Sequence, residues 1–447
     1  MGNQKKILLE HHLKTLLVDV FTQKKCANPK LVVALSGGLD SCVLLHLLMS
    51  CQQTLPFQLQ AHHVHHGLSP NADAWADFCR NFCAKLAVPL TISSIKLNKN
   101  SGLGLEAAAR DARYKALRRT QADFILLAHH QDDQAETLLL QLARGAGVKG
   151  LAGMATMNGK LLRPLLNVPR KTLAQYAQQH QLTWIEDESN ADIKFDRNFM
   201  RHKVLPLLAK QYPSIQQTIS RSAQHMAQAS ALLDELAVLD ATNCAYIAGS
   251  KQLQLQTLAQ LSNSRVNNVL RWWLIEQGFN APSAAQLQQM TQQLLHAKID
   301  AAIKIKLNAN TLLRRYQGNA YLVDATSNID TNFKCVWHGE NTLTLPDQSR
   351  LQFGKLLGEG ISIKFTDFAP LTIQYRQNSA TIKPQANRPR RSLKALLQAF
   401  NIPPWQRERL PLIFLDKQLA AVPNIAVDVT LKAKSDELGL VITWQSN

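Results

Sequence analysis

The chain has 447 residues, and its 46% hydrophobic and 18% charged content is globular, with material for more than one core. This excludes a wholly disordered chain. Fifty Lys and Arg against 32 Asp and Glu leave a net charge of +18, an excess that favours a polyanionic partner, nucleic acid before an anionic membrane.

The opening MGNQKKILLEHHLKTLLVDVF reads as a basic amphipathic helix with Glu10 and two histidines in it. It has no continuous apolar core or cleavage site of a secretory signal, and Lys6 breaks the myristoylation pattern after Gly2. No apolar run nears the roughly 18 residues that span a bilayer, so no membrane partner is expected. Seven cysteines, an odd number, argue against a disulfide framework and for a reducing, cytoplasmic setting.

Residues 31–150 alternate strand and helix signals. Strands are expected at 31–35, 57–66, 89–97 and 123–129, and helices near 40–49, 71–87, 105–119 and 132–144. This spacing predicts βαβ units, a parallel sheet covered on both faces, and a ligand site beyond the carboxyl ends of the strands. From Tyr212 to about Leu295 the pattern is helical and rich in Gln and Ala, with Leu253, Leu255, Leu258 and Leu261 as regular apolar positions. Residues 325–341 read as a linker. The remainder mixes short strands (LTIQYR), one helix (SLKALLQAF) and a hairpin-like LPLIFLDKQLAAVP. The expected organisation is an α/β domain over 1–211, a mainly helical domain over 212–324, a linker over 325–341, and a basic α+β domain over 342–447.

Ser36-Gly37-Gly38-Leu39-Asp40-Ser41 falls where a strand turns into a helix. Glycine lets backbone approach an anion, the first helical N–H groups point at it, the hydroxyls add donors, and Asp40 can hold a cation. The Walker G-x-x-x-x-G-K-[ST] pattern is absent. His130, Asp132, Asp133 and Glu136 crowd the start of a later helix, where the plain alternative is complementing the helix dipole. Arg110, Arg113, Lys115, Arg118 and Arg119 make one helix strongly basic. Between Asp367 and Glu408 there is no acid, while Arg376, Lys383, Arg388, Arg390, Arg391, Lys394 and Arg407 all occur there. The cluster His62, His63, His65 and His66 is not a zinc site in a strand, where alternation sends neighbouring side chains to opposite faces. Cys79 and Cys83, at helical spacing, read as core, as do Trp272, Trp273 and Trp405.

SGGLDS resembles the pyrophosphate-loop (PP-loop) motif of ATP pyrophosphatases, with their adenine nucleotide alpha hydrolase-like fold. HVHHGLS (63–69), EAAARDARY (106–114), HHQDDQAET (129–137), LARGAG (142–147), WIEDESN (184–190) and RNFMRHKVLP (197–206) together resemble tRNA(Ile)-lysidine synthetases. SLKALLQAFNIPPWQRERLPLIF (392–414) resembles the terminal domain of that family's longer members. The resemblance implies a ligase that adenylates O2 of the wobble cytidine (position 34) of a tRNA(Ile) with CAU anticodon, using ATP and Mg²⁺. The ε-amino group of free L-lysine then displaces AMP and leaves lysidine.

It further implies that Ser36 to Ser41, with His66 and Gly67, hold ATP. Asp40 and Asp132 or Asp133 would hold Mg²⁺, with Asp133 as the main choice beside Asp40. Asp133 and Glu136 would hold the cationic end of lysine, with His130 in the same catalytic set. Arg110, Arg113, Arg197, Arg201, Arg388, Arg390 and Arg391 would contact tRNA, and the enzyme would be a monomer or homodimer. The family's R-x-x-G-[DE] turn reads here Arg376-Gln377-Asn378-Ser379-Ala380, a departure that affects contacts of that turn. The competing readings are a PP-loop tRNA thiolase, which typically needs paired cysteines, and a non-catalytic basic tRNA-binding protein, which would carry a damaged loop. This chain has no C-x-x-C, and both SGGLDS and H-x-D-D-x-x-E-T are intact.

Overall fold

Leu31, Val32 and Val33 are buried on both sides of one strand, so that strand must lie inside a sheet with helices on each face. The computed structural model describes the chain except residues 1, 66, 68, 96–104, 299–300, 302, 326–329, 331, 367–368, 376–379 and 446–447, and the side chains of 2–8, 105–107 and 189. The chain divides into two units, Met1–Asp234 and Glu235–Asn447.

In the first unit the order is α1 (Gly2–Lys24), β1 (Lys30–Ala34), α2 (Leu39–Gln52), β2 (Gln58–His65), α3 (Ala72–Lys85), β3 (Leu90–Ser94), α4 (Leu105–Arg118), β4 (Phe124–Leu126) and α5 (Gln131–Ala143). Then come α6 (Val148–Leu151), β5 (Met157–Asn158), β6 (Leu161–Leu162), α7 (Arg170–Gln179), α8 (Asp196–Phe199), a π-helical turn Met200–Val204, α9 (Leu205–Gln211) and α10 (Ile215–Asn243). The sheet order is β3-β2-β1-β4-β6-β5, parallel except for the β5–β6 pair. The β5–β6 hairpin went unread because two-residue strands carry no periodicity.

Leu31, Val33, Leu59 and Leu126 pack under α1, α2 and α7, where Leu9, Leu13 and Leu17 give α1 its buried stripe. Val32, Val64 and Ile125 face the other way, with Leu117 of α4. The strand order reverses between β1 and β4. The loops after those two strands therefore diverge and leave a crevice between them.

In the second unit, helices Asn263–Glu276 and Ala284–Thr291 pack on a four-stranded antiparallel sheet, ordered 252–254, 319–324, 311–316 and 304–306. The mainly helical region therefore carries a sheet that the sequence reading did not anticipate, because its outer strands have three residues each. Leu253, Val269, Leu270, Trp273 and Leu313 form the core between them. Part of the stretch read as linker is also strand: Lys334–Val336 pairs with Leu371–Gln374, and Phe333, Cys335 and Trp337 alternate onto the C-terminal core. That core lies between a five-stranded and a four-stranded antiparallel sheet. The SLKALLQAF helix (Leu393–Ala399) and the 412–422 hairpin form where expected. Among the described residues, no helix is long and apolar enough to cross a membrane.

Asp428 is fully buried and ties this region together. It accepts from the backbone N–H of Lys383 (3.0 Å) and from the backbone N–H (3.1 Å) and hydroxyl (2.7 Å) of Thr430, and it pairs with Arg390 Nη1 at 3.0 Å. Burial alone would raise its pKa, but these donors and Arg390 hold it below the usual carboxylate value of 3.8. A depressed carboxylate contributes stability that is complete above its unfolded pKa and is lost as the pH falls through the folded one. Arg390→Ala should therefore lower the unfolding free energy at pH 7 by about 1–3 kcal/mol, and the difference should shrink in strong acid. Arg388→Ala, at an exposed position, should change it by less than about 0.5 kcal/mol; denaturant titration of both variants checks this.

Candidate active site

The Ser36–Ser41 turn leaves the end of β1 and enters α2. Gly37 has φ +88°, a backbone conformation that favours glycine, and the Ile185 side chain packs close against it. Ser36 Oγ and Ser41 Oγ are 3.1 Å apart. Ser41 Oγ donates to Gly38 O (2.9 Å), and Gly38 N–H donates to Ser36 Oγ (3.3 Å). The two hydroxyls thus hold the loop's shape. Gly38 is the N-cap and offers no side chain to the first turn of α2, which leaves an anion-binding helix start. Leu39 is buried in the core, so only its backbone can serve a ligand. The WIEDESN segment forms a wall of this loop, since Ile185 N–H donates to Gly37 O at 2.9 Å.

Across the crevice, β4 ends and α5 begins at His130. Its Nδ1 accepts from Asp133 N–H (3.4 Å) while Asp133 Oδ2 accepts from His130 N–H (2.9 Å), a reciprocal capping box. His130 Nε2 lies 3.6 Å from Asp40 Oδ2 and 3.4 Å from Asp133 Oδ2, and Nδ1 lies 4.0 Å from Asp132 Oδ1. Burial would lower the pKa of His130, but Asp40, Asp133 and Asp132 outweigh it and the net shift is upward. The His130 ring therefore joins the PP-loop to the carboxylates of α5.

The sequence placed Asp133 and Glu136 on the lysine substrate, and Arg197 and Arg201 on tRNA. In the structure these four side chains are one another's partners. Arg197 donates to Glu136 Oε2 (2.7 Å) and Asp133 Oδ1 (2.8 Å); Arg201 donates to Glu136 Oε1 (2.6 Å) and Asp133 Oδ1 (3.2 Å). Glu136 is 0% exposed. Two carboxylates that deep require cations, and two arginines spaced i,i+4 across the π-helical turn supply them. Within Asp133, Oδ1 takes both guanidiniums and Oδ2 takes the His130 N–H. Burial would raise its pKa, yet His130, Arg197 and His129 bring it below 3.8.

Asp40 is different. Its Oδ1 is buried and takes no hydrogen bond. Arg170, which sequence reading passed over, stands beside it with Nε 3.8 Å from that oxygen, and its N–H donates to Asp132 Oδ1 at 3.2 Å. The signal available was Pro169-Arg170 at a helix start. His129 also escaped notice. Burial drives its pKa down to about 3, with Arg197, Arg163 and Arg110 pushing the same way, so it is a neutral imidazole among guanidiniums.

Gly67 follows β2 with φ +63° and open space about it, whereas His66 lies outside the described residues. The other histidines of that strand are engaged: His62 bonds Thr120 Oγ1 (2.7 Å) and Ser93 Oγ (2.9 Å), His63 bonds Leu35 O (2.9 Å), and His65 pairs with Asp73 (3.1 Å). Cys79 and Cys83 lie in the core, their thiols pushed up by burial to about 12 and about 11. On α4, Arg110 and Arg113 flank the Tyr114 ring at 5.2 and 5.8 Å. Arg113 turns inward, and burial lowers its pKa with help from Arg110 and Arg197, while Arg118 and Arg119 stay exposed. In the C-terminal region Arg390 pairs with Asp428, Arg388 is exposed and Arg391 is half-buried.

Residues 9–208 match the family model of a PP-loop domain, 253–321 that of a TilS substrate binding domain, and 371–444 that of a TilS substrate C-terminal domain. The tRNA(Ile)-lysidine synthase of Nitrosomonas europaea is 40% identical over 423 residues, covering 93% of this chain and 92% of that one. Those of Coxiella burnetii (38%, covering 92% and 92%) and Serratia proteamaculans (40%, covering 90% and 92%) are similar over nearly the same span. An intact ATP-binding PP-loop, a cation-rich crevice, and relatives matched along their length converge on one conclusion, and thiolation is not favoured. The chain belongs to the tRNA(Ile)-lysidine synthase family, ATP-using PP-loop ligases that form lysidine on tRNA.

Proposed function

We propose that this enzyme modifies cytidine 34 of a tRNA(Ile) with a CAU anticodon, joining free L-lysine to it in the cytoplasm. The observation that carries the reading is the Asp40–His130 contact, which draws the PP-loop and the α5 carboxylates to the same crevice. In the first half-reaction, O2 of the cytidine attacks the α-phosphorus of ATP and pyrophosphate leaves. In the second, the ε-amine of lysine attacks C2, and AMP departs with the former O2. No protein nucleophile is needed; the site must place the reactants and balance charge.

The helix start of α2 and the hydroxyls of Ser36 and Ser41 suit the pyrophosphate. Asp40, with its unpartnered Oδ1, and Asp132 suit Mg²⁺, a hard cation that takes oxygen ligands and phosphate together. Bound there, Mg²⁺ would offset charge on the pyrophosphate. His130 orients Asp40, and Arg170 spans Asp40 and Asp132. Asp133 and Glu136 act one step back: they hold Arg197 and Arg201 in place, and Arg197 with Arg163 and Arg110 keeps the wall around His129 positive. The C-terminal cations Arg388 and Arg391 suit tRNA phosphates.

Three measurements test this. Asp40→Ala should abolish AMP release and incorporation of radiolabelled lysine into tRNA while leaving tRNA affinity within a few fold; retained turnover would remove Asp40 from the site. Chelation of zinc and iron should leave lysine transfer unchanged, and Cys79→Ala with Cys83→Ala should lower the melting temperature without altering turnover of the folded enzyme. Arg388→Ala with Arg391→Ala should weaken tRNA binding about tenfold and flatten log K against log salt by about 1.5, the contribution of two phosphate contacts. Turnover at saturating tRNA should be unchanged.

A further inference from the structure

The C-terminal region contains a cavity of about 540 Å³, within the size range of small-ligand sites. It opens between the two sheets. Val422 and Ile425 line one side, Leu440 and Ile442 of the opposing sheet line the other, and Leu396 of the helix Leu393–Ala399 with Phe400 at its C-cap close it. Arg388, Arg391 and Lys432 border it, against a single carboxylate, Glu359. Arg390, from the same run, is withdrawn by Asp428 and is not part of the lining.

Two features together restrict what fits. Phe400 is 52% exposed although its neighbours on the helix, Leu396 and Leu397, are buried. An exposed ring beside cations is the arrangement on which an unstacked base rests while its phosphates are neutralised. A duplex backbone would use the cations and leave the apolar interior empty. The polar mouth and apolar floor match the two halves of a nucleotide.

We infer that this cavity receives one unpaired nucleotide of the tRNA, its base against the exposed Phe400 ring and its phosphates on Arg388, Arg391 and Lys432. The inference rests on the reading of the C-terminal region as tRNA-binding. It adds to that reading a term that salt does not screen, since stacking releases no counterions.

The test uses the full chain and fluorescence anisotropy with a tRNA transcript across a salt series. Phe400→Ala should weaken binding about tenfold with an unchanged salt slope, and Phe400→Trp, which keeps a ring, should bind as the parent does. A blunt RNA duplex should bind parent and Phe400→Ala alike. Equal tRNA affinity of Phe400→Ala and parent overturns the inference, as does a Phe400→Trp variant that loses binding equally. Saturating AMP, which competes for a nucleotide cavity, should lower parent binding to the level of Phe400→Ala. If the Arg388→Ala, Arg391→Ala double variant also binds tRNA with parental affinity and salt slope, the failure is that of the broader reading of this region.

Discussion

A carboxylate with no access to water must either take up a proton or find a cation, and the first unit is organised around two that found cations. Asp133 and Glu136 sit on consecutive turns of α5, and both are neutralised by Arg197 and Arg201 from a segment more than 60 residues away. The pairing fixes how the 196–204 helix lies against α5. Spaced i,i+4, Arg197 and Arg201 share one face of this segment and reach the same pair of acids. Because Asp133 also caps α5 through His130, and His130 faces Asp40, one chain of charges runs from a buried acid to the phosphate loop. Each acid is shared by both arginines, so removing the two together would leave two buried carboxylates without a guanidinium.

The same accounting divides the +18 excess. Several arginines are spent inside the protein: Arg265 bonds the fully buried Asp240 through Nε at 3.0 Å, Arg390 bonds Asp428, and Arg315 donates to the carbonyls of Leu294 and Ala297. Trp405 lies among Tyr316, Tyr321 and the Arg314 guanidinium, so part of the basic and aromatic content that suggests RNA contact instead packs this unit. What remains exposed around Arg388 and Arg391, and on α4 at Arg118 and Arg119, is a smaller set than the composition implies. Net charge therefore points to the class of partner, not to the surface that meets it.

Much of this protein was legible in one dimension. The β1-to-β4 alternation, the strand–turn–helix setting of Ser36–Ser41 and the cap-rich start of α5 follow from local signals. Apolar runs bounded by Gly, Pro or Asp, and acids at a helix start, are physics of a few adjacent residues. The three-residue strands of the second unit and the strand inside the 325–341 stretch were missed for the converse reason. Phe333, Cys335 and Trp337 do alternate, but so short a strand is stable only because Leu371–Gln374 is there to pair with it.

The amino-acid order by itself determined which groups exist, which lie at strand ends, and hence that a phosphate loop and a carboxylate cluster share one edge of a parallel sheet. It could not determine how charges separated by 38 to 130 positions pair off. Only the tertiary structure decided that Glu136 is consumed by Arg197 and Arg201, that Arg170 joins Asp40 and Asp132, and that Arg390 is structural while Arg388 is exposed. The reason is that the strength of an ionic interaction depends on burial and on distances of a few ångströms. Both are properties of packing, and neither is encoded in the identity or spacing of the residues that form the pair.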